Sequence, residues 1–378
     1  MDTAPADAPP DGRRRLYLIA GEASGDLHGS NLIRALKAKG PCAFRGMGGD
    51  RMEAAGMQLA RHIRTTDFMG FLVVLMNLRT ILRMFSQIKA ALLAFKPDAV
   101  ILIDYPGFNL RMARFCHQHG IQVFYYISPQ VWAWKKSRVK QIRAYVDRMY
   151  CILPFEREWY RPYEVEAEYV GHPLLDAIEE GHFGDKPENP SILALLPGSR
   201  KHEIARMLPV MLQAASTFGE LKPVLAAAPT QPPAYYAQLA RAYPQIEVVY
   251  NDTYRVLRAA RYALVTSGTA TLEAALHEVP QVVCYSGNWL SYQIARRLVK
   301  ISYISLVNLI MDRPVVTELI QKDMRPIRVA EELHRLVYDA ERRRSMLEDY
   351  RMLKERLGGG GASEKAAESI WGHLKSRS

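Results

Sequence analysis

The strongest constraint in this sequence is a recurring order: a short apolar run, a turn of small polar residues, then a helical pattern. It is clearest at Leu264-Val-Thr-Ser-Gly-Thr-Ala-Thr-Leu-Glu273. Tyr262 to Val265 suits a buried parallel strand, Ser267-Gly268-Thr269 a tight turn, and Ala270 to Leu276 the start of a helix. The unpaired N–H groups and partial positive charge of a helix N-terminus can hold an anion where small side chains let it approach. Glu273, one turn into that helix, is placed to accept hydrogen bonds from ribose hydroxyls. An ordinary capped helix with Glu in its first turn fits the same residues.

The order recurs along the chain. Arg15–Ala20 runs into Gly21-Glu22-Ala23-Ser24-Gly25-Asp26-Leu27-His28-Gly29 and a helical Ser30–Lys39, and Ala99–Ile103 runs into Asp104-Tyr105-Pro106-Gly107-Phe108-Asn109. Val123–Ile127 precedes Ser128-Pro129-Gln130-Val131-Trp132-Ala133-Trp134, and Ile192–Leu196 precedes Pro197-Gly198-Ser199-Arg200. Further strands fit Cys151–Leu153, Ala167–Val170, Pro223–Ala227, Glu247–Tyr250 and Gln281–Tyr285. Strands alternating with helices predict an α/β fold with parallel sheets, and 378 residues are too many for one ordinary core. Asp185–Pro190, with two prolines, reads as a linker, so a domain boundary is expected between about 171 and 190. Four glycines, Gly358–Gly361, separate a charged helical stretch from a last helix at Ser363 to about Leu374. The expected division is a disordered leader at 1–12, domains at 13–175 and 176–350, and a helical segment at 351–378 that packs on the first domain.

The turns differ in chemistry. The first is not GxGxxG and no GxxxxGK[ST] occurs, so neither a dinucleotide fingerprint nor a P-loop is supported. Glu22 and Asp26 would repel phosphate; they suit sugar hydroxyls, acid/base work or helix capping. Asp104 falls at a strand's C-terminal end, which faces the ligand crevice in open α/β sheets, although capping the next helix is an alternative. Arg200, beside a glycine turn, suits bidentate contact with phosphate. His202-Glu203 is followed by Arg206 rather than a second histidine, which excludes a zinc-protease motif. His172 in Gly171-His172-Pro173 reads as catalytic or as a hinge histidine satisfied by backbone groups.

A net charge of +11 favours phosphorylated small molecules, anionic membrane or nucleic acid as partners, without choosing among them. Phe68 to Met76 is an unbroken run of nine apolar or glycine residues, followed by a helical pattern to Phe95 with Arg79, Arg83 and Lys89. The run is too short to span a bilayer, which takes about 20 residues, and suits an interfacial helix, a lipid-chain groove or an ordinary core helix. Trp132 and Trp134 beside Lys135, Lys136, Arg138 and Lys140 admit nucleic acid, a sugar, a membrane surface or a solvated basic helix. The four cysteines lack CxxC or metal spacing, and residues 1–12 lack an apolar core, so a cytoplasmic protein with free thiols and no signal peptide is expected.

Taken together, the motifs resemble the bacterial lipid A disaccharide synthase family over residues 15 to 374. The resemblance rests on Ala20–Asp26, Met69-Gly70, Ile103–Asn109, Ser128–Trp134, Gly171-His172-Pro173, Leu196–Arg200, Ser267–Glu273 and Ser305-Leu306-Val307-Asn308, in family order. It implies two Rossmann-like doubly wound domains facing across a cleft, of the GT-B type, with the C-terminal helix returning to the N-terminal domain or exchanged in a homodimer. The implied enzyme is an inverting hexosyltransferase that joins UDP-2,3-diacylglucosamine to 2,3-diacylglucosamine 1-phosphate, giving a β-1,6-linked disaccharide 1-phosphate and UDP. By this resemblance Asp104 is the general base. Glu22, Ser24, Asp26 and Asn109 line the acceptor side of the first domain, and Ser199, Arg200, Ser267, Gly268, Thr269, Glu273 and Asn308 hold UDP in the second. It implies no cofactor, no divalent metal and no nucleic acid, and a peripheral place on the anionic cytoplasmic face of the inner membrane. Val73 stands where many members have Glu. Another UDP-sugar glycosyltransferase or a UDP-sugar epimerase on the same architecture is the main rival.

Overall fold

The structure is a computed structural model that describes residues 12–65, 78–133, 135–179, 191–287 and 302–375. The leader up to residue 11, the Phe68–Met76 run with Val73, Trp134 and the Asp185–Pro190 linker lie outside the described residues. The chain divides into two compact units, Met1–Asp176 with Gly360–Ser378, and Ala177–Gly359.

The first unit is built on a parallel sheet of seven strands: β1 (Arg14–Ala20), β2 (Cys42–Gly48), β3 (Met57–His62), β4 (Ala99–Ile103), β5 (Gln122–Tyr126), β6 (Arg148–Cys151) and β7 (Ala167–Tyr169). Their order is β3-β2-β1-β4-β5-β6-β7. The second unit repeats the plan with β8 (Ile192–Leu196), β9 (Lys222–Ala227), β10 (Glu247–Tyr250), β11 (Ala260–Thr266), β12 (Gln281–Tyr285) and β13 (Thr317–Ile320), ordered β10-β9-β8-β11-β12-β13. Each order reverses once, between β1 and β4 and between β8 and β11, which is the doubly wound arrangement. The central strands are apolar on both faces because helices cover both: Leu16 to Ala20, Ala99 to Ile103 and Val123 to Tyr126 are all fully buried.

The apolar runs of β4, β8, β10 and β12 stand where periodicity puts them. The strand expected at Cys151–Leu153 is instead Arg148–Cys151. β2, Cys-Ala-Phe-Arg-Gly-Met-Gly, carries no apolar pattern and is defined by close packing: a Cβ on Gly46 would lie 1.8 Å from the Leu18 carbonyl oxygen of the adjacent β1. The first helix starts at Ala23 rather than Ser30, so most of the expected glycine loop is helical.

The helix Ala340–Leu357 is continuous and belongs to the second unit, and the chain returns to the first unit at its glycines rather than at 351. The last helix, Ala362–Lys375, lies on the first unit of its own chain. Ala366, Ala367, Ile370 and Leu374 join the core that holds Leu16, Leu32, Ile101 and Phe124. The Trp371 ring occupies the space a side chain at Gly40 would need, 2.5 Å from an added Cβ. One carboxylate fixes the start of this helix. Asp176 accepts N–H from Gly361 (2.7 Å) and Ala362 (3.2 Å) on Oδ1 and from Ser363 (3.1 Å) on Oδ2. It ends the outgoing passage of the chain and caps the incoming one, supplying charge to N–H groups that a helix leaves unpaired.

Losing this cap is expected to cost about 1–3 kcal/mol in Asp176→Ala, from three buried or half-buried N–H groups left without partners. Thermal melting together with hydrogen exchange checks this. Exchange should rise across 362–375 and stay unchanged in Ala340–Leu357, whereas a uniform rise would show the carboxylate serving the whole fold instead.

Candidate active site

Both order reversals fall where the sequence places its turns. In the first sheet Ala20 pairs with Ile103, so the residues after β1 and those after β4 emerge side by side. Asp104 and Tyr105 both take the left-handed conformation, at φ 43° and 48°. For L-residues this costs roughly 1–2 kcal/mol each and persists only where surroundings over-determine it. Here they do. The Asp104 carbonyl accepts from Tyr125 Oη (2.5 Å) and Asn109 Nδ2 (2.7 Å), while its N–H donates to the Tyr126 carbonyl (3.1 Å). The Tyr105 ring lies flat against Gly21, where an added Cβ would stand 2.3 Å from the ring, so glycine is required there.

This bend aims Asp104 into a narrow recess shared with Gly21, Glu22, Ser24, Gly25 and Ile103. Burial, with the Glu22 carboxylate next, pushes Asp104 up to about 7, while a hydrogen bond from the Tyr105 backbone opposes the rise. A carboxyl poised there can exchange a proton near neutrality. Asp104 is not the N-cap of the helix that follows it, since Tyr105 holds that place in Pro106–Gln118, and Glu22, the N-cap of Ala23–Lys39, makes no side-chain cap hydrogen bond.

Two residues expected on the acceptor side are occupied otherwise. Asp26 is buried, and its carboxylate accepts N–H from Gly49 (2.7 Å), Arg51 (3.1 Å) and Met52 (3.0 Å), capping the short helix Asp50–Ala54. Asn109 is fully buried, and besides the Asp104 carbonyl its Nδ2 reaches the carbonyls of Ile103 (3.1 Å) and Ile19 (3.4 Å). It braces the bend. Tyr125, its partner in this, carries no sequence signal beyond being polar-tipped within a buried strand.

In the second sheet Leu196 pairs with Val265, which sets Pro197–Arg200 beside Ser267–Thr269. Gly198 has φ 101°, and a Cβ there would meet Glu203 Oε2 at 2.9 Å. The turn therefore needs glycine both for its conformation and for space. Ser199 and Arg200 are exposed at the start of helix Lys201–Ala215, and Gly268 and Thr269 at the start of Thr269–Leu276. Arg200 is held by Glu203 at 3.2 Å with half its side chain in solvent. Glu203 is thus a positioning partner that spacing alone did not reveal. Two helix N-termini and a guanidinium converge on one edge, a composite anion site. Glu273 is half-buried, pushed up to about 7 by desolvation and hydrogen-bonded by Tyr254.

Ser267 and Asn308 are committed to the frame. Ser267 Oγ donates to the Ile304 carbonyl (2.9 Å). Asn308 is buried, its Oδ1 accepting from Val316 N (2.9 Å) and its Nδ2 donating to the Val316 carbonyl and Glu318 Oε1 (2.9 Å each). Its amide is hydrogen-bonded within the unit on both its oxygen and its nitrogen. Glu318 also accepts N–H from Ile304 and Ser305 (3.0 and 2.9 Å), so these side chains tie the 304–308 segment to β13 and brace the turn at Ser267. His172 is buried with its Nδ1 accepting from Leu174 N (3.2 Å), and burial lowers it to about 3, which fits a structural hinge residue.

The chain is similar to known proteins along nearly its whole length. The family model described as lipid-A-disaccharide synthetase matches residues 16–370. The lipid-A-disaccharide synthase of Syntrophus aciditrophicus (strain SB) is 43% identical over 366 residues, covering 93% of this chain and 96% of that protein. That of Myxococcus xanthus (strain DK1622) is 39% identical over 370 residues, covering 94% and 96%. Among solved structures, S. aureus MnaA with UDP aligns at TM-score 0.69 and 12% identity over 96% of this chain and 97% of that one. The calicheamicin glycosyltransferase CalG4 aligns at 0.62 and 16% identity over 96% and 98%. At such identities the likeness is one of fold, shared by glycosyltransferases and epimerases alike. Full-length identity near 40% decides between them: the chain belongs to the lipid-A-disaccharide synthetase family and is a glycosyltransferase.

Proposed function

We propose that the second unit holds UDP-2,3-diacylglucosamine, that the first holds 2,3-diacylglucosamine 1-phosphate, and that Asp104 is the base that joins them. The observation that carries this is the left-handed bend at Asp104, which aims a carboxyl pushed up to about 7 into a recess at the reversal of the first sheet. A sugar hydroxyl is a poor nucleophile at neutral pH. In the transition state the carboxylate takes the proton of the acceptor 6-hydroxyl as its oxygen bonds to C1 of the donor sugar. The bond from C1 to the diphosphate breaks on the opposite face, so the configuration inverts without a covalent sugar intermediate. The negative charge gathering on UDP is met by Arg200 and by the N-termini of Lys201–Ala215 and Thr269–Leu276. Glu22 and Ser24 line the recess beside the acceptor, and Glu273 is suited to the ribose.

Asp104→Asn and Asp104→Ala should lose about 10²- to 10⁴-fold in single-turnover rate while still binding UDP. Asn tolerates the left-handed conformation, so Asp104→Asn should also fold normally. A base works deprotonated, so the wild-type rate should fall as pH drops below about 7, and that limb should vanish in the variants. A retained limb, or a normal rate in Asp104→Asn, would move the base elsewhere, with Glu22 the nearest alternative.

Arg200→Ala should weaken UDP binding by tens of fold, since a charge-assisted diphosphate contact contributes about 1.5–3 kcal/mol. Calorimetry giving unchanged affinity would remove Arg200 from the donor site.

Acylated substrates call for a membrane contact, and helix Leu78–Phe95 supports a peripheral one. Met84, Phe85, Ile88 and Leu92 enter the core, whereas Leu82 and Leu93 are 58% and 41% exposed. Among the described residues no helix is long and apolar enough to cross a membrane. Sedimentation with anionic vesicles should carry the protein down at low salt and release it as salt rises. Equal binding to neutral vesicles would count against the basic residues Lys135, Lys136 and Arg138.

A further inference from the structure

Beside the catalytic bend a second loop is fixed more firmly than a surface connection needs. It leaves β5 through Ile127, a β-branched residue held at φ 67°. Such a residue rarely adopts the left-handed region. Ser128, Pro129, Val131, Trp132 and Ala133 are then all buried, and Gln130 alone of this stretch is exposed. Val131 N–H donates to the Pro129 carbonyl (2.6 Å), closing a three-residue turn with Gln130 at its apex. Ser128 N–H donates to the Tyr150 carbonyl (3.2 Å) and Ser128 Oγ to Tyr160 Oη (3.1 Å).

The anchor of the loop is a carboxylate with no solvent exposure. Glu156 accepts from Trp132 Nε1 (3.0 Å) on one oxygen and from Ile152 N (3.2 Å) and Leu153 N (3.0 Å) on the other. Burying a carboxylate is costly unless donors surround it, and these donors are supplied by the loop and by the residues after β6. The edge-on packing of Trp132 against Phe155 (5.0 Å) completes the clamp. The loop's position follows from the sheet. β5 is hydrogen-bonded to β4, and the Tyr126 carbonyl that receives Asp104 N–H lies four residues before Gln130.

We propose that Gln130 is a specificity-determining residue for the acceptor sugar and that Glu156 is its positioning residue. The primary amide offers two donors and an acceptor to the hydroxyl and acyl-carbonyl groups around the reacting oxygen. The clamp holds it at a fixed place, so it selects among sugars instead of adapting to them. This rests on the reading that the first unit takes the acceptor.

The test is steady-state kinetics with each substrate varied in turn. Gln130→Ala should raise the acceptor KM about tenfold, the effect of losing one to two hydrogen bonds, with kcat changed less and the UDP-sugar KM unmoved. Its melting temperature should not change, since the side chain is exposed. Gln130→Glu, which keeps the shape but loses both donors, should behave like the alanine variant. Glu156→Gln should raise the acceptor KM as well, and combining it with Gln130→Ala should add little. If Glu156→Gln fails to fold, the two Gln130 variants decide alone. An unchanged acceptor KM in both, or an equal rise in both KM values, overturns the proposal. Asp104→Asn in the same assay separates the two readings. Full turnover there with a raised acceptor KM in Gln130→Ala sinks only the base. A dead Asp104→Asn with an unchanged acceptor KM in Gln130→Ala sinks only the specificity residue.

Discussion

A parallel sheet whose strand order reverses must send the two connections beside the reversal to opposite faces, and the space left at the strand ends cannot be covered by either. That topological constraint governs both units. In the first it lies between β1 and β4 and leaves Glu22, Ser24 and Asp104 lining a recess, and in the second it lies between β8 and β11 and exposes Ser199, Arg200, Gly268 and Thr269. The two sites have opposite chemistry on the same scaffold. One is acidic, with a carboxyl backed by a second carboxyl, and the other gathers N–H groups and a guanidinium.

The acidic site depends on strained backbone. Asp104, Tyr105 and Ile127 are all left-handed at the ends of adjacent strands, and at Asp104 the side chains of Tyr125 and Asn109 hydrogen-bond the carbonyl. A rigid, fully buried sheet can hold such bends because moving one would break several contacts together. The phosphate-type site needs less. Its strain falls on Gly198 and Gly268, for which positive φ is ordinary, and the backbone N–H groups it presents are supplied by a helix start without tertiary bracing.

This difference explains what was legible in the sequence. Apolar runs such as Ala99–Ile103 and Ile192–Leu196 announce themselves, and so do the turns after them, because both depend on neighbouring residues. The parallel order and the reversal follow once strands and helices alternate. The bracing contacts of Asp26, Asn109 and Asn308 were not legible, because a polar side chain that binds a ligand and one that braces a loop are the same residue type. The fold supplies those partners: for Asp26 the nearest in sequence is Gly49, 23 residues away, and Asn109 reaches across to Ile19, 90 residues away, besides bonding Ile103 and Asp104 close by. β2 and β13 were missed for a related reason. Each is a strand through its pairing, with Gly46 pressed on β1 and Glu318 occupied by backbone N–H groups, not through its own apolar pattern.

Placing a carboxyl where it can act as a base also sets a stability term with a definite sign. Asp104 is raised from an ordinary carboxylate value to about 7 on folding, so the folded state binds a proton that the unfolded chain releases. Its contribution to stability is present in full below the unfolded value, near 4, and is lost as pH rises through about 7. Glu273 and Glu156 are raised to about 7 by burial and follow the same sign. The pH at which Asp104 gives up its proton is therefore the pH at which these three carboxyls help the fold least. Asp176 and Glu318 instead accept several backbone N–H groups and tie segments of the chain together. Such contacts hold the frame, and Glu156 shares that task, while at Asp104 and Glu273 burial sets the cost of being charged near neutral pH.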